Sequence, residues 1–379
     1  MTEMMRAIVW DGGEWPKGLS LREIPRPELR PGWVLVRNRA VGICGSDLHY
    51  LSGRTRHLIP DKNLPAVLGH ENAGTVEAVG DGVTEIMPGD RVAAEALHGC
   101  YEIGRMTPCR PCQSGQYNLC AYRQIVGIPL VEMLPGGYGE YSIFHATRLF
   151  KMPDAVSFEA AALIDVLAVA VHAMAVGKPI PGMDVVVLGS GVTGLDVIQC
   201  LRAWGITRII ATAKYPFQAD AARQAGASEV VLLEKGMDPV DEVLRMTDGE
   251  GVDQVYEAVG GSTDVINQGI RMCRKGGNVI MLGIFDGEMP VDLQRMIYRS
   301  ISLLASSSYA FSGTSRDYWI ALGLLASEQV LHEFLVTHRF PREEWRAAIE
   351  AAMHKGDERC LRAVIVDDRS SGSSVGGGS

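Results

Sequence analysis

Residues 189–194 read "GSGVTG" and sit between an apolar run, "MDVVVL" (183–188), and a stretch of helical character from Val192 to Trp204. No other feature restricts the possible fold so much. A G-x-G-x-x-G hexapeptide on its own is weak, but between a buried strand and a helix it is the turn of a βαβ unit. Gly189 permits the tight turn. Gly191 lets the backbone approach a pyrophosphate, which a helix N-terminus attracts. Gly194 lets helix and strand pack closely. Gly189, Ser190, Gly191, Val192, Thr193 and Gly194 are therefore candidate dinucleotide contacts.

The alternation continues downstream. "TRIIAT" (207–212), "EVVLL" (229–233), "GVDQVYEAV" (251–259), "GGNVIML" (276–282) and "SISLLASS" (300–307) read as strands, with helical segments between them, one at Pro216–Ala225. Strands alternating with helices imply right-handed parallel units and a doubly wound α/β sheet of six strands. Nicotinamide would lie at the carboxyl ends of these strands. "PREEWRAAIEAAMHKG" (341–356) has the period of one amphipathic helix.

Chains that bind NAD usually place an acid about 20 residues beyond the fingerprint, to hold the ribose 2′-hydroxyl. Here the tip of the second strand reads "ATAKYP" (211–216), with Ala213 at the acid's expected place and Lys214 next. A 2′-phosphate meets no repulsion there, and Lys214 could pair with it. NADP(H) is favoured, with NAD(H) the alternative. Lys214 pointing to solvent is the bland reading.

Before about residue 160 the character differs. Short Val/Ile-rich runs such as "WVLVRNRAVGI" and "GDRVAAEA" are broken by Gly, Pro and Asp, as in a compact β domain. The 379 residues suffice for two domains. A net charge of −9 without a Lys/Arg cluster argues against nucleic acid and anionic membranes as partners. No apolar run approaches the ~18 residues of a membrane span, and "MTEMMRAIVWDGG" lacks a secretory h-region. A reducing cytoplasm is expected, where structural disulfides are rare.

Three further stretches offer metal chemistry: "CGSDLH" with Cys44, Ser46, Asp47 and His49; "GHE" with His70 and Glu71; and "ALIDVLAV" with Asp165. Each is ordinary alone. Together they supply thiolate, imidazole and carboxylate, the ligand types of a catalytic zinc. Four of eight cysteines, Cys100, Cys109, Cys112 and Cys120, crowd into residues 98–120. A close C-x-x-C pair in a loop-rich stretch, with two further thiols, suits a closed four-thiolate zinc better than a redox pair.

With these residues in place, the chain resembles the zinc-dependent medium-chain dehydrogenase/reductase superfamily, of alcohol and polyol dehydrogenase type, over about residues 5–366. The resemblance implies a GroES-like, β-rich catalytic domain from 1–160 plus 309–366, carrying the zinc lobe at 98–120. It implies a Rossmann domain at 161–308. The Gly/Ser-rich end, 367–379, reads by its composition as a flexible tail and a cloning remnant. It makes Cys44, His70, Glu71 and Asp165 candidate ligands of a catalytic zinc. Relatives of the polyol type often read "IEPLAV" where this chain has "IDVLAV". Asp47 would orient the ligating histidine, Ser46 would bond the substrate oxygen, and His49 would pass its proton to solvent. Val259, Leu282, Gly283 and Ile284 would face the nicotinamide, with ordinary strand ends as the competing reading. Zinc would act as Lewis acid while hydride passes between a small-molecule alcohol and the cofactor. "CGSDLHYLSGR" points to a secondary alcohol or polyol. Arg54, Arg56 and His57 in the following loop could face a polar substrate or simply be solvated. A homodimer or homotetramer is implied.

The family normally spaces the first two lobe cysteines by a short two-residue gap. This chain has eight residues there, so "YEIGRM" (101–106) reads as an insertion looping out between two ligands. His98 replacing Cys100, or a three-thiolate site, stays open. Competing functions are a zinc-free reductase, a non-catalytic descendant keeping the fold, and a zinc hydrolase. The first would lack Cys44 and His70, the second would lose Ser46 and His49, and the third has no use for "GSGVTG".

Overall fold

The structure is a computed structural model that describes residues 3–367. The expected tail starts one residue late: Asp367 is buried and paired with Arg37 at 3.1 Å, and 368–379 lies outside the described residues.

Six parallel strands form one sheet in the spatial order Glu229–Leu232, Arg208–Ala213, Asp184–Leu188, Val252–Glu257, Cys273–Met281, Ser302–Ala305. In chain order this is 3-2-1-4-5-6, the doubly wound arrangement of a Rossmann sheet. The central strand is apolar on both faces because helices cover both. Val185, Val186 and Val187 are wholly buried. Val187 pairs with Ala211 on one side and Tyr256 on the other. The strand order reverses between Asp184–Leu188 and Val252–Glu257. That switch point opens a crevice beyond their carboxyl ends.

The second sheet has seven strands and is built around Trp33–Gly42. That strand pairs antiparallel with Glu71–Val79, Tyr141–His145 and the late strand Arg362–Val366. The chain thus returns to its first half. The pairings Gly42–Val364 and Gly42–Glu71 bring three distant segments together beside Cys44.

Two expectations need correction. The helix read over 341–356 is a 3-10 turn, Arg342–Glu344, then Trp345–Met353, then a separate short helix, Lys355–Glu358. The break at His354 lets Gly356 lie flat on Tyr215, where an added Cβ would come within 2.8 Å of the ring. The insertion "YEIGRM" does not simply loop out. Tyr101 and Met106 are exposed, but Glu102 turns inward and is only 6 % exposed.

Candidate active site

Cys44 N-caps the helix Gly45–Leu51, and Asp47 in its first turn accepts the Cys44 backbone N–H at 3.1 Å. This turn fixes the thiol and presents Ser46 and His49 from one short element. Glu71 opens the neighbouring strand, Glu71–Val79, and His70 directly precedes it. The residue before them, Gly69, has φ +92°, and a Cβ on Gly42 would strike Glu71 Oε2. Both glycines are needed for the strand to begin so close to Cys44.

One ligand atom from each of Cys44, His70 and Glu71 falls in a group spanning no more than 4.8 Å. His70 and Glu71 are buried, yet His70 Nδ1 and both Glu71 carboxylate oxygens have no hydrogen-bond partner. Burial disfavours a charged His70, but Asp47 and Cys44 more than offset it and hold its pKa well above the usual histidine range. The field of the site therefore favours a cation. Thiolate, imidazole and carboxylate at this separation fit zinc. Arg362 Nη1 stands 3.3 Å from Glu71 Oε1 and donates to the Ile43 carbonyl at 2.6 Å.

The supporting groups follow. Asp47 Oδ1 lies 3.5 Å from His70 Nδ1, and the Tyr138 hydroxyl donates to Asp47 Oδ2 at 3.3 Å. Ser46 Oγ is 3.3 Å from His70 Nε2. His49 is half-buried, and burial together with Arg54 lowers its pKa. Asp165 is not in the compact group. Its Oδ1 accepts the Tyr309 hydroxyl at 2.5 Å, and burial pushes its pKa up to about 6 against the pull of His70. Arg54 pairs with Asp286 at 3.7 Å. Arg56 is tied to the Gly12 and Ile59 carbonyls, and His57 is exposed.

The four lobe cysteines gather in the same way, their sulfurs all within 4.8 Å, and none is in a disulfide. Cys100 Sγ lies 3.5 Å from Cys120 Sγ, and Cys109 Sγ 3.8 Å from it. Backbone N–H groups of Cys112 and Ala121 pull Cys109 down to about 6, whereas burial pushes Cys112 and Cys120 up. Four sulfurs so close form a donor set that tetrahedral zinc fits. His98 stands apart. Nδ1–H donates to the Ala96 carbonyl at 3.0 Å, Nε2 accepts the His145 N–H at 3.1 Å, and the ring stacks on Trp33. That tautomer leaves no lone pair for a metal. The insertion's Glu102 meets Arg148 Nη2 at 2.8 Å, while Arg148 Nη1 meets Glu95 at 2.7 Å, all three buried.

At the fingerprint, Gly189 has φ +94°, and a Cβ on Gly194 would collide with the Gly189 carbonyl. A Cβ on Gly191 would meet nothing within 4 Å, which leaves open space over the turn for a pyrophosphate. Ser190 is turned inward, and its hydroxyl donates to the Thr212 carbonyl at 2.8 Å. Val192 is buried at the start of the helix, and Thr193 is half-buried beside it. Ala213 is the buried last residue of its strand, and Lys214 is exposed with its Nζ 5.2 Å above the Tyr215 ring. Val259 and Ile284 are exposed apolar residues at adjacent strand ends, 47 % and 63 %. Leu282 and Gly283 lie beside them, half-buried.

The chain matches the alcohol dehydrogenase GroES-like domain over residues 30–154 and the zinc-binding dehydrogenase family over 192–327. It belongs to the zinc-dependent medium-chain dehydrogenase/reductase superfamily. It is 32 % identical to the sorbitol dehydrogenase of Bacillus subtilis over 93 % of this chain and 95 % of that one. The crystal structure of 2R,3R-butanediol dehydrogenase from Bacillus subtilis superposes with a TM-score of 0.83 at 27 % identity, covering 96 % and 100 % of the two chains. A protein from Sinorhizobium meliloti 1021 bound to NADP gives 0.82 at 26 %, covering 96 % and 100 %. As a member of this superfamily the chain is an oxidoreductase of the alcohol and polyol dehydrogenase type that uses a nicotinamide cofactor.

One functional residue escapes sequence reasoning. Glu257 is wholly buried at its strand end, and its Oε1 accepts the N–H groups of Val259 at 2.6 Å and Gly260 at 2.7 Å. It holds both strand ends that carry the candidate nicotinamide wall. The available signal is an acid closing an otherwise buried strand just before "AVGG".

Proposed function

We propose that Cys44, His70 and Glu71 hold a catalytic zinc and that the protein interconverts a secondary alcohol or polyol and its ketone. NADP(H) is the favoured cofactor. The observation that carries this is the compact Cys44–His70–Glu71 group with Ser46 Oγ 3.3 Å from His70. Zinc bound there supplies a Lewis acid that polarises the substrate oxygen. Ser46 holds the substrate hydroxyl and takes its proton. His49, half-buried at the end of the same helix, passes that proton to solvent. Asp47 fixes the His70 ring from below. Val259, Leu282, Gly283 and Ile284 wall the nicotinamide and exclude water.

Asp165 would join Cys44, His70 and Glu71 through the carboxylate oxygen that does not accept from Tyr309. We place the domains at 1–160 plus 309–366 and at 161–308, with the four-cysteine lobe holding a second, structural zinc. The secondary-alcohol class rests on "CGSDLHYLSGR" and agrees with the polyol and diol named for the relatives above. The test is a panel of polyols, vicinal diols and primary alcohols, run with NADP+ and NAD+ on protein of known metal content. Secondary carbinols with NADP+ should give the highest kcat/KM. Absence of turnover and of dinucleotide binding would refute the reading.

A further inference from the structure

The helix Ile164–Gly177 carries Asp165 in its first turn and packs against the strand that Glu71 opens. Among the described residues the side-chain partner of Asp165 is Tyr309, whose hydroxyl donates to Oδ1 at 2.5 Å. Tyr309 is buried, and its ring meets that of Tyr318 edge-on at 5.7 Å. Tyr318 is itself fixed: its hydroxyl donates to the Ala94 carbonyl at 3.0 Å and its ring stacks on Phe150. The Tyr309 phenol therefore has little room to turn away from Asp165.

The backbone that presents Tyr309 is held from the four-cysteine lobe. Tyr117 and Asn118 stand in a 3-10 turn just before Cys120. Tyr117 donates to the Ala310 carbonyl at 3.3 Å, and Asn118 to the Ser307 carbonyl at 2.7 Å. These two carbonyls bracket Tyr309. Between them Ser308 has φ +57°, a left-handed conformation that a non-glycine residue keeps only where its surroundings hold it. On the other side Asp317 accepts the Ala310 N–H at 2.7 Å and the His172 Nδ1–H at 2.8 Å. His172 lies two turns beyond Asp165 on the same helix. The segment is thus tied to the lobe at two points and to the Asp165 helix at two.

We propose that Tyr309 is a positioning residue for the metal group of Cys44, His70 and Glu71, and that the four-cysteine lobe sets its place. The hydroxyl occupies one Asp165 oxygen and leaves the other for the metal. The lobe then does more than staple its own loop. Through Tyr117 and Asn118 it fixes the backbone from which that hydroxyl is delivered. The inference rests on the zinc reading above and adds to it a residue and a route.

The experiment replaces zinc by cobalt(II) in the intact protein and follows the visible spectrum and the rate at which a chelator removes the metal. Subtracting the spectrum of Cys44→Ser leaves that of the catalytic group. Tyr309→Phe keeps the ring and removes the hydroxyl. It should shift the ligand-field bands of that group and speed its metal release by about tenfold, with a thermal melt near that of the parent. Tyr117→Phe removes the hydroxyl on the Ala310 carbonyl and lies outside the catalytic group. It should move both readouts in the same direction by a smaller factor. Identical bands and release rates in a folded Tyr309→Phe variant would overturn the proposal. So would slower release, the sign that Tyr309 holds Asp165 off the metal. Bands and rates unmoved in Tyr117→Phe would overturn the link to the lobe. If parent and Cys44→Ser take up the same amount of cobalt, the zinc reading itself fails. If Cys44→Ser loses cobalt and Tyr309→Phe matches the parent, only the role of Tyr309 fails.

Discussion

Glu257 closes one strand and Gly283 lies two residues beyond the end of its parallel neighbour, Cys273–Met281, and the Glu257 carboxylate accepts the Gly283 N–H at 3.2 Å. A Cβ on Gly283 would stand 2.6 Å from that carboxylate and 2.5 Å from the Gly260 nitrogen. Glu257→Ala would leave the Val259 and Gly260 N–H groups short of an acceptor, at about 1–3 kcal/mol each when buried, while Gly283 N–H keeps the Glu257 backbone carbonyl. The expected result is a dinucleotide Kd raised at least tenfold, with less effect on metal content. Cofactor titration alongside a metal assay checks it. A variant less stable but with unchanged Kd would reduce Glu257 to a structural residue.

Ser46→Ala should lower kcat by about 10²-fold while cofactor Kd stays within twofold, because the hydroxyl acts on substrate rather than on the dinucleotide. Steady-state kinetics and a binding titration separate the two. His49 predicts a pH effect whose sign is set by its environment. Burial and Arg54 lower its pKa, so it stays neutral, and able to accept a proton, below the ordinary 6.5. Alcohol oxidation should therefore lose rate only below about pH 6.5. His49→Gln should remove that acid limb from the pH profile.

Glu102 tests the insertion. Removing it leaves Arg148 buried with one carboxylate partner instead of two, a change expected to cost about 3 kcal/mol. Burial opposes ionisation of Glu102, but Arg148 wins and lowers its pKa to about 2. A depressed carboxylate pKa adds stability above the unfolded value, about 4.3, and loses it as pH falls toward 2. Denaturant melts of parent and Glu102→Gln should converge across that window. Parallel curves would contradict the ion-pair account.

Much of this was legible in the chain itself. The inner strands of the six were readable because they are buried on both faces and read as apolar runs, as "DVVVL" does. The two metal groups were readable because their residue types are chemically costly to bury without a purpose. Besides Glu257, three things were not. The helix over 341–356 kept its period through His354, and the break there accompanies the Gly356–Tyr215 contact, which is tertiary. Glu102 looked like loop because its partner, Arg148, lies 46 residues away. Asp165 could be placed near the metal group, but its hydrogen bond to Tyr309 depends on a residue 144 positions on.

Ala213→Asp tests cofactor choice. A carboxylate at the strand tip would repel a 2′-phosphate and accept a ribose hydroxyl. The ratio of kcat/KM for NADP+ over NAD+ should fall by at least tenfold. A parent enzyme that already prefers NAD+ would contradict the roles given to Ala213 and Lys214.

The most direct test of the central claim is zinc content measured together with dehydrogenase activity in three proteins: parent, Cys44→Ser and Cys112→Ser. The parent should hold about two zinc ions per chain, one per compact donor group. Cys44→Ser should lose one ion and nearly all turnover, yet melt close to the parent. Cys112→Ser should lose the other ion and melt markedly lower. Full turnover in Cys44→Ser, or in parent stripped of zinc, would contradict the account.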